Sequence, residues 1–110
     1  MDSVVEFKDN DEKYFKWLSQ HPSAYVINTR RVIDAEYMVL YKSTCFHIST
    51  YSKRSSSGEF TENLYIKICN SSMKSLSLWA ENNGRKDGSF SKECSLCHPL
   101  IYKSITVFAR

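Results

Sequence analysis

The sequence predicts an α+β fold: a small mixed or antiparallel sheet, two helices and a cysteine-rich, zinc-stapled knuckle toward the C-terminus. Three observations carry that expectation. Residues 24–29, 36–42 and 63–69 have the composition of strands, and the last alternates its side chains with a two-residue period. Two other segments space their apolar residues three and four apart, as one face of a helix requires. A Cys-x-x-Cys pair, Cys94-Ser95-Leu96-Cys97, follows the second of these. The chain has 110 residues, 42% of them apolar and 25% charged, so a packed core in one domain is expected rather than a disordered segment. The unit is read as residues 1–110, with its core over about 7–99.

The first helix is expected over residues 11–20, with Asp9 and Glu12 as a capping box and Tyr14, Trp17 and Leu18 on one face. Pro22 stops it, because the residue before proline resists helical geometry. A strand over 24–29 leads into Arg30-Arg31. The next, over 36–42, is apolar on both faces (Tyr37, Val39 and Tyr41 against Met38 and Leu40), the mark of a strand inside the sheet. Residues 44–50 are expected to continue as a third strand after a bend, and 51–62 to form a serine-rich loop. In the strand over 63–69, Leu64, Ile66 and Ile68 face one way and Tyr65, Lys67 and Cys69 the other. Ser71 or Ser72 caps a second helix that buries Met73, Leu76, Trp79 and Ala80, with Gly84 as its stop. A polar loop over 85–93 precedes the knuckle, and 100–108 reads as a last strand or a tail.

The start of the chain lacks the basic-then-apolar layout of a signal peptide, and no stretch nears the roughly 18 apolar residues of a membrane span. A cytoplasmic location is therefore expected, with no membrane partner. In that reducing compartment four cysteines read as metal ligands before disulfides. A C-x2-C turn presents two thiolates to a tetrahedral ion, and Cys45 and Cys69 sit at predicted strand ends. The expected site is a structural zinc held by Cys45, Cys69, Cys94 and Cys97, with His47 and His98 as alternative ligands. Cys45 and Cys69 lie 24 positions apart, so the usual second close pair is missing. Cys94 to His98 also spells the haem-attachment pattern, but that chemistry needs export. A thioredoxin-like role needs a helix after the pair, where Pro99 stands instead.

The net charge of +3 is unevenly placed. The first 13 residues hold five acidic and two basic side chains, leaving 13 basic against seven acidic in the remainder. Arg30, Arg31, Lys53 and Arg54, among strands rich in Tyr, are the expected phosphate contacts, since cations meet phosphate oxygens and aromatic faces stack on unpaired bases. Four thiolates on one zinc would lower the total charge to about +1, so charge alone argues weakly. Three glycines leave no room for a phosphate-cradling loop, and no nucleophile–base frame links the serines and histidines. Glu93 is the one carboxylate beside the knuckle. These absences favour a small zinc-stabilised binding module over a zinc-dependent or thiol enzyme. Its expected partner is nucleic acid, with a protein-interaction or accessory role as the alternative.

Trp17-Leu18 with His21-Pro22, Asn28-Thr29-Arg30-Arg31, Tyr37-Met38-Val39-Leu40 leading to Cys45, Tyr65-Ile66-Lys67-Ile68-Cys69, Trp79-Ala80 and Cys94-Ser95-Leu96-Cys97 together resemble a family of small, largely uncharacterised bacterial domains. The resemblance spans about residues 7–99 and implies one compact unit. It also implies a lean toward nucleic acid, through the nuclease and restriction modules that such domains accompany. A fainter likeness is to the zinc module of DNA methyl-repair proteins, where a strand-borne cysteine precedes a final C-x2-C. The single knuckle here departs from that pattern.

Overall fold

The computed structural model describes residues 4–49 and 60–100. Lys53, Arg54 and the expected strand or tail over 100–108, beyond Leu100, lie outside the described residues. Five strands form one mixed sheet in the order β1-β4-β2-β3-β5: β1 is Val5–Phe7, β2 Tyr25–Arg30, β3 Met38–Lys42, β4 Tyr65–Asn70 and β5 Lys92–Glu93. All neighbours are antiparallel except β3 and β5. Three helices accompany the sheet: α1 over Asp11–Gln20, α2 over Phe46–Ser49 and α3 over Met73–Asn82.

The two-residue side-chain period divides the sheet into two cores. Ile27, Met38, Leu40, Ile66 and Ile68 share one face and bury Leu76 and Ala80 of α3, with Met73 and Trp79 packed half-exposed at the margin. On the opposite face Val26 and Cys69 meet Tyr14 and Leu18 of α1, Ile48 of α2, Phe60 and two more cysteines. The α3 boundaries follow from its caps. Ser72 accepts the Ser75 N–H, and beyond Asn83 the chain turns through Gly84 at φ +114, where a side chain would meet Ala35 Cβ at 2.8 Å.

Three sequence expectations change. The N-cap of α1 is Asn10, which accepts from the Lys13 N–H, and not Asp9. Asp9 instead takes a left-handed conformation (φ 63) and pairs with Arg31. The start of α1 is held from outside by residues 60–62: the buried Asp11 carboxylate accepts from the Thr61 N–H (2.7 Å) and hydroxyl (2.6 Å), and the Asn10 N–H donates to that hydroxyl (2.8 Å). Residues 44–49, the described part of the expected strand over 44–50, do not form a strand. Their backbone bonds are local, from Cys45 N–H to Lys42 O (3.0 Å) and Ile48 N–H to Cys45 O (3.2 Å), making a turn and then the single helical turn α2. Tyr14 ties that turn to α1 by donating its hydroxyl to Ile48 O at 2.5 Å. Finally, the loop over 85–93 ends in β5, which closes the outer edge of β3.

The helix phase is testable on adjacent positions. Leu76 is fully buried while Leu78 is 51% exposed. Leu76→Ala is expected to cost about 2–5 kcal/mol in urea unfolding, whereas Leu78→Ala should stay within about 0.5 kcal/mol. Equal losses would show α3 to be rotated.

Candidate metal centre

The edge of β3 brings together residues that the sequence separates by half its length. Ser91 N–H donates to Met38 O (3.0 Å) and Cys94 N–H to Leu40 O (2.9 Å), extending the parallel pairing past β5. The next inward donor, Lys42 N–H, meets the Cys97 sulfur at 3.3 Å. The knuckle thus lies against the last residues of β3, where the chain turns into Cys45. Within the knuckle the Leu96 N–H donates to Cys94 Sγ (3.3 Å) and the His98 N–H to Cys94 O (2.9 Å).

The sulfurs of Cys45, Cys94 and Cys97 lie within 4.8 Å of one another, and the Cys45–Cys94 separation is 3.8 Å. Four ligands on a tetrahedral ion with bonds of about 2.3 Å stand about 3.8 Å apart, so the spacing is that of a metal-binding edge. It is far beyond a disulfide bond, and all three thiols are free. His47 enters from α2, with Nδ1 at 3.8 Å from Cys94 Sγ. The helical turn places it there. Its own N–H donates to Cys45 sulfur, two residues back, repeating the relation of Leu96 to Cys94.

Burial dominates the electrostatics of this group. It pushes the Cys45 thiol up to about 12 despite the His47 N–H, and the neighbouring Cys97 and Cys94 sulfurs add to the rise. Burial also raises Cys97, against the Lys42 N–H. At Cys94 burial again acts upward, but the N–H groups of Cys97 and Leu96, with His47 and Cys45, outweigh it and bring the thiol to about 7. Only one of the three is thus readily ionised by the protein's own groups. Three like charges this close repel strongly, and a bound divalent cation removes that conflict.

Cys69 is not brought to this group. It lies on β4 between Val5 of β1 and Val26 of β2, fully buried on the α1 face, where loss of water pushes its thiol well upward. His98 follows the knuckle with a left-handed backbone (φ 44) and has no place among the three grouped residues. Glu93 accepts the Leu100 N–H at 2.9 Å, a bond that closes the segment after the knuckle.

The expected phosphate contacts separate by role. Arg31 is tied inward: its guanidinium bonds Asp9 at 2.7 and 3.2 Å, Asn63 O at 2.7 Å and Thr61 O at 3.0 Å. Arg85 similarly holds Ala35 O, Ser89 and Phe90 O. Lys67 is buried, donating to Asn28 Oδ1 (2.8 Å) and Phe60 O (2.6 Å). Arg30 remains exposed, with its guanidinium 4.9 Å above the Tyr37 ring. Beside it opens a groove of about 700 Å³ lined by Val32, Ile33, Ala35, Leu64 and Tyr65, where Val32 and Leu64 are 84% and 74% exposed. No known protein family, curated protein or solved structure matches the chain.

Arg31→Ala should therefore lower stability by roughly 0.5–1.5 kcal/mol in urea unfolding, through the lost bonds to Asn63 O and Thr61 O. The Asp9 carboxyl, held below its ordinary value first by the Arg31 hydrogen bond, makes its contribution above the usual carboxylate range. That contribution fades as pH falls through the depressed value. A variant as stable as the parent would show the bonds to be idle.

Proposed function

We propose that the protein is a small zinc-stabilised binding module, with nucleic acid as its partner. The sulfur triangle of Cys45, Cys94 and Cys97 carries the reading, because its 3.8 Å edge and N–H donors are those of a thiolate metal site. Zinc is the ion that soft thiolates with one imidazole select under reducing conditions. His47 is the fourth ligand in this account, in preference to Cys69, because His47 already stands against Cys94. Bound there, the ion ties the turn after β3 to the knuckle 49 residues later, so its binding free energy becomes folding free energy.

The purified protein is expected to hold about one equivalent of zinc by elemental analysis. Cys94→Ser should lose the metal and the thermal stability that chelation also removes. Cys69→Ala should keep the metal while losing only packing, and His47→Ala should keep it with weakened affinity. A metal-free parent that melts unchanged with chelator would remove the proposal.

Nucleic acid as the partner is supported by the basic surplus after residue 13 and by exposed Arg30 beside Tyr37 and Tyr65. Affinity for oligonucleotides is then expected to fall steeply with salt, as neutralised phosphates release counterions. The exposed Val32 and Leu64 groove supports a second reading, a protein-interaction module. Absence of oligonucleotide binding at low salt, with a stoichiometric protein recovered in a pull-down, would decide for that second reading.

A further inference from the structure

Sheet register aligns three flat or cationic side chains outside the sulfur triangle. Arg30 on β2 pairs with Tyr65 on β4, and Tyr37 immediately precedes Met38, the partner of Thr29 on β3. Tyr65, Arg30 and Tyr37 thus form one row across β4, β2 and the residue that leads into β3. The tyrosine rings lie 5.6 Å apart, tilted by 39°, and the Arg30 guanidinium covers Tyr37. Neither tyrosine belongs to the two hydrophobic clusters, so the row does not serve the core. Among the described arginines, Arg30 is also the one whose guanidinium makes no hydrogen bond to the protein.

We propose that the Tyr65–Arg30–Tyr37 row, with the adjoining groove between residues 31–35 and Leu64, is a stacking subsite for an unpaired base of single-stranded nucleic acid. This deepens the nucleic-acid reading and rests on it. A base presents a flat π-face, which suits phenol rings and a guanidinium plane alike. The groove's walls are largely apolar, as a stacked base requires, and its volume is ample for one. Asp34 lines the same groove, with one carboxylate oxygen held by the Glu36 N–H at 2.9 Å. Its charge disfavours a bare anion there and accepts from the exocyclic amines that bases carry. Burial and the Tyr65 neighbour push the Tyr37 phenol upward, so it stays neutral beside the ligand.

The test is fluorescence anisotropy with a labelled single-stranded oligonucleotide, run against the same strand carrying abasic sites, on the zinc-loaded protein. Tyr37→Leu and Tyr65→Leu are expected to lower affinity roughly 5- to 100-fold, the range of one lost base stack, with the salt slope and zinc content unchanged. Tyr37→Phe and Tyr65→Phe keep the ring and should keep the affinity. The parent should prefer the intact strand over the abasic one by a similar factor, a comparison that needs no variant to fold. Equal binding of intact and abasic strands, or full affinity in folded Leu variants, would overturn the subsite while leaving a backbone-binding module standing. A parent that binds no oligonucleotide at low salt would overturn the nucleic-acid reading and the subsite together.

Discussion

The outer edge of β3 has to find partners for its backbone donors and acceptors, since unpaired strand edges buried against protein are costly. Residues 91–97 supply them. Ser91 and Cys94 donate to Met38 O and Leu40 O, and the Cys97 sulfur receives the Lys42 N–H. The grouping of the three cysteines depends on this pairing. It sets the knuckle in register with β3, and the turn after β3 then delivers Cys45 to it. A two-residue strand is a weak lock by itself. The same register that satisfies the backbone also gathers the three sulfurs, and a metal there would strengthen the lock that assembled it.

The site also explains an electrostatic tension. N–H groups from Leu96, Cys97, His47 and Lys42 point at sulfur, which favours thiolates, while burial opposes charge at each of the three. Donors arranged around anions, in a place that resists anions, are the arrangement expected where a cation completes the balance. The aromatic row lies on the same sheet face, and its Tyr37 borders a cleft that His47 and Cys94 also line. Arg31, Lys67 and Arg85 bond carbonyls and neighbouring side chains, which leaves Arg30, among the described arginines, as the one able to meet a ligand.

The fold was legible wherever periodicity runs long enough. The α1 and α3 spans and the β2, β3 and β4 strands follow from repeated spacing, and Ser72 is one of the two caps, Ser71 or Ser72, that the sequence offers. β1 and β5, of three and two residues, are too short to show a period and exist only through their partners. Asp9 and Asn10 are both competent caps. Arg31, 22 residues away, decides between them by engaging Asp9. The site was half legible. The C-x2-C spacing announces Cys94 and Cys97, but four cysteines invite a four-thiolate count. Only the register of β4, which seats Cys69 between Val5 and Val26, separates it from the rest. His47 illustrates the opposite case. A strand would have set it on the face of Cys45, whereas a helical turn carries it to Cys94, and only tertiary contact with Tyr14 fixes that turn.

The ligand set is the most direct point of test. X-ray absorption at the zinc edge, on protein purified under reducing conditions, reads the number and kind of atoms bound to the ion. The account predicts three sulfurs at about 2.3 Å and one nitrogen at about 2.0–2.1 Å, from Cys45, Cys94, Cys97 and His47. A first shell of four sulfurs would place Cys69 at the ion and contradict the register described here, and protein isolated without zinc would contradict the metal itself.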